Sequence, residues 1–245
     1  MLSKAQIKYI QSLQHKKNRQ ISGQFTAEGD KIVLELLTGG LAREVYATDD
    51  WVHEQEALLA KLSGVAVTVV EPQVLKQLSA LTTPNRAIAL LDIPPATAPA
   101  PLTGTVSLAL ETIQDPGNLG TIIRIADWFG ISSIYCSPDC VDTYNPKTIQ
   151  ATMGSFARVQ VIIHDIAELL KTSDVPGYAA TLHGRDITAF ERVKEGILLI
   201  GNESRGLSQQ IIDLSTHHIT IPRLGGAESL NAAVATGIIC GRLLI

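Results

Sequence analysis

The sequence predicts an α/β protein whose larger, C-terminal part is a mostly parallel sheet with helices on both faces. Short apolar runs recur after residue 105, at Val106 to Glu111, Ile134 to Cys136, Val159 to Ile162, Gly177 to Thr181, Ile197 to Ile200 and His218 to Ile221, with helical patterns between them. Strand and helix alternating in this way favour parallel pairing, because the crossover helices then cover both faces of the sheet. The 245 residues, 45% of them hydrophobic, are enough to bury one large core or two smaller ones. The stretch Pro94 to Pro101, rich in proline and alanine, lacks the backbone donors of a ladder and favours extended chain, which makes it a linker. The expected layout is therefore a smaller α/β domain at 1–94, a linker at 95–104 and the larger domain at 105–245.

Along the first domain, residues 2 to 16 pattern as one helix, with Leu2, Ile7, Ile10 and Leu13 on one side and lysines on the other. Gln24 to Ala27 reads as a short strand, Asp30 to Thr38 as a helix ended by Gly39-Gly40, and Glu44 to Ala47 as a strand. Asp50 to Leu62 continues as a helix, Val65 to Val70 as a strand, Pro72 to Leu78 as a helix and Ala87 to Leu91 as a closing strand. In the second domain a helix begins beside Asn118 and ends near Phe129-Gly130, another starts near Ser208, and the last runs from Leu230 to Ile245. That last helix is apolar nearly all round and carries Ala232, Ala233, Ala235, Gly237 and Gly241, the pattern of a buried helix that packs closely.

Composition narrows the classes. No run approaches the eighteen or so apolar residues that span a bilayer, and the first turns are polar and basic, so no membrane partner and a cytoplasmic location are expected. Cys136, Cys140 and Cys240 make an odd count without framework spacing, which argues against a disulfide scaffold. Cys136 and Cys140 lack a second nearby pair, and no metal is expected. The net charge is −4, yet Lys4, Lys8, Lys16, Lys17 and Arg19 all precede the first acidic residue, Glu28. Such a patch holds phosphates even on an acidic molecule, or is simply a solvated helix face. Neither G-x-G-x-x-G after a strand nor G-x-x-x-x-G-K-[ST] occurs, which disfavours a dinucleotide- or nucleotide-binding enzyme of those types.

Three loops carry the chemistry. Asn118-x-Gly120-x-x-x-Arg124, Gly201-Asn202-Glu203-Ser204-Arg205-Gly206, and Ile221-Pro222 with Glu228-Ser229-Leu230-Asn231 each lie between a strand and a helix, where open α/β sheets gather ligand-binding residues. Asn118 either caps its helix or serves the site. Arg124 stands among Ile122, Ile123 and Ile125, and a charge in an apolar run needs water, a carboxylate or a phosphate for its head, so it is expected to face the site. Gly201 admits close backbone approach or only turns the chain. Glu203 can accept from Arg124 or Asn118, or be a plain surface carboxylate. Ser229 can cap the final helix.

In order and spacing these loops resemble the three motifs of the SpoU (TrmH-like) RNA ribose 2'-O-methyltransferases of the SPOUT superfamily. The resemblance is strong from Thr105 onward. It is weaker at Phe25-Thr26-Ala27-Glu28-Gly29 and Leu81-Thr82-Thr83-Pro84, which resemble that family's L30e-like substrate-binding domain. It departs at Arg223, where an apolar residue is common, and at Asn85-Arg86 in place of Gln-Gly. It implies S-adenosylmethionine as cofactor and a C-terminal trefoil knot. Asn118, Arg124, Glu203, Ser229 and Asn231 are the implied catalytic set, with Thr181, Gly201, Ile221 and Leu230 holding the cofactor. It also implies an RNA substrate, ribosomal before transfer RNA, bound through Lys4, Lys8, Lys16, Lys17 and Arg19. Pairing of subunits through the last helix would bring one subunit's arginine near the other's cofactor. The matching arginine is proposed as a base in that family, but a guanidinium holds its proton at neutral pH, and anchoring phosphate while stabilising negative charge is the physically easier role. The contrasting class is an RNA-binding protein of this fold without chemistry, which the intact polar set disfavours.

Overall fold

The computed structural model describes residues 2–95 and 101–245. Up to Pro95 the elements are α1 (Lys4–Ser12), α2 (Lys16–Ser22), β1 (Gln24–Glu28), α3 (Asp30–Thr38), β2 (Glu44–Ala47), α4 (Asp49–Glu54), α5 (Glu56–Leu59), β3 (Ala66–Val69), α6 (Pro72–Leu78) and β4 (Ala87–Asp92). Then follow β5 (Val106–Leu110), α7 (Pro116–Trp128), β6 (Ser133–Cys136), α8 (Pro146–Thr152), β7 (Gln160–Ile163), α9 (Ile166–Thr172), β8 (Gly177–Asp186), β9 (Gly196–Ile200), α10 (Gln209–Leu214), β10 (His217–Thr220) and α11 (Ala232–Leu244). Two compact units result. One holds the chain up to Pro95 together with Tyr144–Ala157, the other residues 101–143 and Arg158–Ile245. Residues 96–100 of the expected linker lie outside the described residues.

The first unit is built on a mixed sheet of order β1-β4-β2-β3, with β2 and β3 parallel and the other pairs antiparallel. Phe25, Val33, Leu36, Val45 and Trp51 fill one face, and Ile10, Leu13, Tyr46, Leu75 and Ile88 the other. Its core also takes a segment from far along the sequence. Ile149 of α8 is buried with Phe25 and Leu36, and the rings of Tyr144 and Phe156 lie 4.7 and 5.7 Å from that of Phe25. The apolar demand of this sheet, not sequence position, places 144–157 here, a departure from the layout expected from the linker alone.

The single helix expected over 2–16 is two. α1 stops at Ser12, and Arg19 of α2 reaches back to donate to the carbonyls of Leu13 and Gln14, at 2.7 and 2.9 Å, satisfying groups that a continuing helix would have used. Arg19 is therefore 2% exposed and is corrected from a surface phosphate contact to a pin of the helix turn, whereas Lys4, Lys8, Lys16 and Lys17 are exposed. The expected helix from Asp50 to Leu62 is likewise divided at Gln55 into α4 and α5. Arg86 is held by Asp30 at 2.6 Å, Glu54 at 2.8 Å and Asp50 at 3.4 Å. Glu28, whose carboxyl is pushed up by burial, accepts from Ser79 Oγ and the Ala80 amide.

The second unit contains the parallel sheet that the alternation predicts, with strand order β10-β8-β9-β5-β6-β7 and every pair parallel. β9 is buried along its whole length, as a strand covered on both faces must be. β8 runs further than expected. Ala179 pairs with His218, but the next pair is Arg185 with Ile219, so residues 180–184 stand out of the ladder. At Gly184 an added Cβ would meet the His218 carbonyl carbon at 2.5 Å, and only glycine lets the two backbones pass. No helix among the described residues is long and apolar enough to cross a membrane.

Replacing Ile149 by alanine removes a side chain buried in the first unit's core and is expected to cost about 2–5 kcal/mol. Trp51 is buried in that unit and Trp128, the only other tryptophan, is 84% exposed in the second. Denaturant titration followed at the blue edge of tryptophan emission should therefore show the Trp51 transition move to lower denaturant in Ile149→Ala.

Candidate active site

A cavity of about 580 Å³ opens at the carboxyl ends of β8, β9 and β10, the edge where parallel sheets bind ligands. Its floor is apolar, with Ile200, Ile219, Ile221 and Ile239, and its walls are the looped-out residues Ala180 to His183, the 201–207 turn and the loop from Ile221 to Leu230. Gly201 decides the shape of one wall. A Cβ there would lie 2.2 Å from the carbonyl carbon of Gly206 and the amide of Leu207, so the backbone of the turn folds directly over this residue.

Three side chains tie the three loops together. Asn118 donates from Nδ2 to Glu203 Oε1 at 2.7 Å and accepts at Oδ1 from Asn231 Nδ2 at 2.8 Å. Asn231 in turn caps α11, its Oδ1 accepting from the amides of Ala233 and Val234 at 2.9 and 3.2 Å. Asn118 is not the cap of its own helix. Asp115 has that role, accepting the Asn118 amide at 2.8 Å with Pro116 in the first helical position, a start signal that Asp115-Pro116-Gly117 already carried. Nor does Ser229 cap α11, because Asn231 does.

A second set of contacts rigidifies the 201–207 turn, and nothing in the local sequence pattern announces it. Asn202 Nδ2 donates to the carbonyl of Thr112 at 2.9 Å, while its Oδ1 accepts the amides of Ser204 and Arg205 at 2.9 and 3.1 Å. Thr112 follows β5 with φ 58°, a left-handed backbone that costs a β-branched residue free energy. Its amide is held by Ser137 Oγ at 2.8 Å and its hydroxyl donates to Asp139 at 2.6 Å. Glu111 accepts both the amide and the hydroxyl of Ser208, at 2.7 and 2.6 Å, fixing the start of α10. Cys140 accepts the Ile113 amide and donates to the Leu110 carbonyl. Hydrogen bonds from Cys136 first, then Ser137 and the Ile113 amide, bring its thiol down to about 7 against the opposing effect of burial. Among the described residues no group of three or more His, Cys, Asp or Glu side chains could hold a metal ion.

Of the residues singled out from sequence, Thr181, Gly201, Glu203, Ile221, Ser229 and Leu230 line the cavity. Asn118 and Asn231 stand behind its wall through Glu203 and α11. Arg124 does not reach it. Ile122, Ile123 and Ala126 take the buried side of α7, which leaves Arg124 exposed with Thr121 and Trp128 on the opposite stripe. Within one chain, then, the expectation that Arg124 faces the site is not met. Trp128 and, on α11, Val234 and Ile238 are also exposed, at 84, 51 and 40%, and Ile125 and Phe129 of α7 lie against Gly237 and Gly241 of α11.

The site is thus an apolar cavity at the carboxyl edge of a parallel sheet, walled by a close-packed glycine turn and a hydrogen-bonded Glu203–Asn118–Asn231 set, as in ligand-binding α/β proteins. Residues 105–241 match the SpoU rRNA Methylase family, and residues 4–89 match the MRM3-like substrate binding domain. The chain belongs to the SpoU rRNA methylase family. It is 26% identical over 238 residues, 95% of this chain and 93% of the relative, to the 23S rRNA (guanosine(2553)-2'-O)-methyltransferase RlmP of Bacillus subtilis. Among solved structures it resembles a putative RNA methyltransferase of the TrmH family from Porphyromonas gingivalis, with 34% identity, a TM-score of 0.85 and coverage of 100% of this chain and 98% of that one. It also resembles an AdoMet-bound rRNA methyltransferase from Sinorhizobium meliloti, with 29% identity, a TM-score of 0.83 and coverage of 99% and 95%.

Because the Gly206–Leu207 backbone cannot yield to a side chain, Gly201→Ala should lower stability by about 1–3 kcal/mol or more. Gly225, around which an added Cβ would meet nothing within 4 Å, is the control. Gly225→Ala should unfold at the wild-type denaturant midpoint while Gly201→Ala unfolds clearly earlier.

Proposed function

We propose that this protein transfers a methyl group from S-adenosylmethionine to a ribose 2'-hydroxyl of ribosomal RNA. The observation that carries the reading is the convergence of the three loops on one cavity through the Glu203–Asn118–Asn231 tie. Its size lies within the range of small-molecule sites, and its isoleucine floor with the side-chain-free Gly201 wall suits an adenine ring held by shape and backbone groups. Thr181, Gly201, Ile221 and Leu230 would hold the cofactor, which supplies an electrophilic methyl group on a sulfonium. Ribosomal RNA is favoured over transfer RNA by the activity named for the Bacillus subtilis relative and by the MRM3-like match of the first unit. The exposed Lys4, Lys8, Lys16 and Lys17 supply cations for its phosphates, and the reaction belongs in the cytoplasm.

The chain's own groups then have distinct tasks. Glu203 and Asn231 fix the Asn118 amide, so the wall beside the target hydroxyl is set before substrate arrives, and orientation of this kind lowers the barrier. Ser229, exposed at the rim, is available to hydrogen-bond the target sugar. Arg124 enters from a second copy of the chain. The exposed Trp128, Val234 and Ile238 beside it form an apolar face suited to a homodimer, across which its guanidinium reaches the partner's cavity to anchor phosphate and stabilise negative charge on the 2'-oxygen. The trefoil knot of the C-terminal segment and the L30e-like character of the first unit belong to the same proposal.

Transfer of radiolabelled methyl from S-adenosylmethionine to undermodified rRNA, followed by mapping of the 2'-O-methyl position, tests the reaction. No incorporation, together with no heat of cofactor binding in calorimetry, would refute it. Arg124→Ala is expected to lower turnover by about 10²–10³-fold with cofactor binding retained. Trp128→Glu, at an exposed position, should convert a dimer to a monomer in light scattering and lose turnover with every cavity residue intact. A wild type that is monomeric and active would overturn the shared site.

A further inference from the structure

The cavity carries two cations at its mouth that no carboxylate pairs with among the described residues. Arg205 and Arg223 are both exposed and both line the opening. The Arg205 guanidinium has no hydrogen bond or ion pair among the described residues. That of Arg223 makes one contact, Nη1 to the Ala227 carbonyl at 3.4 Å, which leaves most of its donors unused. By contrast Arg86 and Arg158 are engaged with carboxylates, and Arg242 donates to the carbonyls of Thr188 and Phe190.

Arg205 also leaves the backbone from a fixed point. Its amide is bonded to Asn202 Oδ1, and Asn202 and Gly206 exchange backbone hydrogen bonds at 3.1 and 2.9 Å. The turn is thus closed on itself and anchored to Thr112 through the Asn202 side chain. Of the carboxylates lining the cavity, Glu203 is engaged by Asn118, and Glu228 is exposed in the rim loop and forms no ion pair with either arginine among the described residues.

The chemistry of the substrate says what such a pair is for. A ribose within an RNA strand bears its 3'-phosphate on the carbon next to the 2'-carbon, so a reacting 2'-hydroxyl always brings an anion with it. That anion cannot follow into the isoleucine floor, where an unpaired charge is costly. It must stay at the mouth. Guanidinium groups there offer paired N–H donors that match phosphate oxygens.

Resting on the methyl-transfer reading above, we propose that Arg205 and Arg223 grip the phosphates flanking the methylated nucleotide, and so select a continuous RNA strand and seat its ribose at the cavity. The cofactor is a poorer occupant for them, since its single carboxylate is accompanied by its own ammonium group.

The test compares wild type, Arg205→Ala, Arg223→Ala, the double variant and the two lysine variants on an unmodified rRNA transcript at several salt concentrations. Each alanine variant is expected to raise KM for the transcript about tenfold, the effect of removing a charge-assisted hydrogen bond, with kcat within about threefold. The slope of log KM against log salt should shrink by about 0.7 for each phosphate that is no longer held. Calorimetric affinity for S-adenosylmethionine and the melting temperature should not change, and lysine should restore the salt slope with part of the KM. Unchanged KM and slope in the double variant would overturn the grip, as would weaker cofactor binding with normal RNA affinity. Should the wild type neither bind S-adenosylmethionine nor transfer methyl, the reaction itself fails. Gel-shift affinity of the same variants for the transcript then judges the grip separately, equal binding overturning it.

Discussion

The run of hydrogen bonds from Glu203 through Asn118 to Asn231 is the constraint on which the rest of the second unit's site depends. It is directional at every link. Because Glu203 is an acceptor, the Asn118 amide must present its nitrogen to it and its oxygen to Asn231. Because the Asn231 oxygen is taken by the first amides of α11, only its nitrogen is left for Asn118. Each side chain therefore has one rotamer and one amide orientation compatible with its neighbours, and such networks specify a single arrangement when every member is satisfied. The start of α7, the turn after β9 and the start of α11, distant in sequence, are thereby held in one register.

Around this tie the backbone is brought unusually close to itself. Gly201 lies under Gly206 and Leu207, and Gly184 lies against His218, while Thr112 is kept in a left-handed conformation by Ser137 and Asp139. The left-handed Thr112 costs of the order of 1–3 kcal/mol, and the buried strands β5, β6 and β9 beneath it supply the apolar packing that offsets it. The result is a hollow with an apolar floor, a wall of fixed polar groups and a charged mouth.

The central strands β5, β6 and β9 were readable in the sequence because the parallel sheet buries them on both faces, and runs such as Ile197-Leu198-Leu199-Ile200 have no other use for so many branched side chains. The three loops were readable because each joins such a run to a helical pattern. Arg19 was not, since a buried arginine that bonds to main-chain carbonyls has the same local sequence as an exposed one. The detour of residues 180–184 out of the ladder was hidden because a looped-out stretch and a strand end share the same composition. The outward placement of Arg124 within its own chain needed a different weighting. Spacing puts it opposite Ile122, Ile123 and Ala126 on α7, and that periodicity, given more weight than the apparent cost of a charge among isoleucines, points it to solvent.

The membership of Tyr144–Ala157 in the first unit bears on how the molecule is made. Synthesis delivers the chain from its N-terminus, and domains tend to complete themselves as they emerge. This one cannot, because Phe25 waits for Tyr144, Ile149 and Phe156, which are translated only after two strands of the neighbouring sheet. The first unit is therefore drawn from two separated stretches of the gene, and its completion on the ribosome waits for part of the second unit to be made.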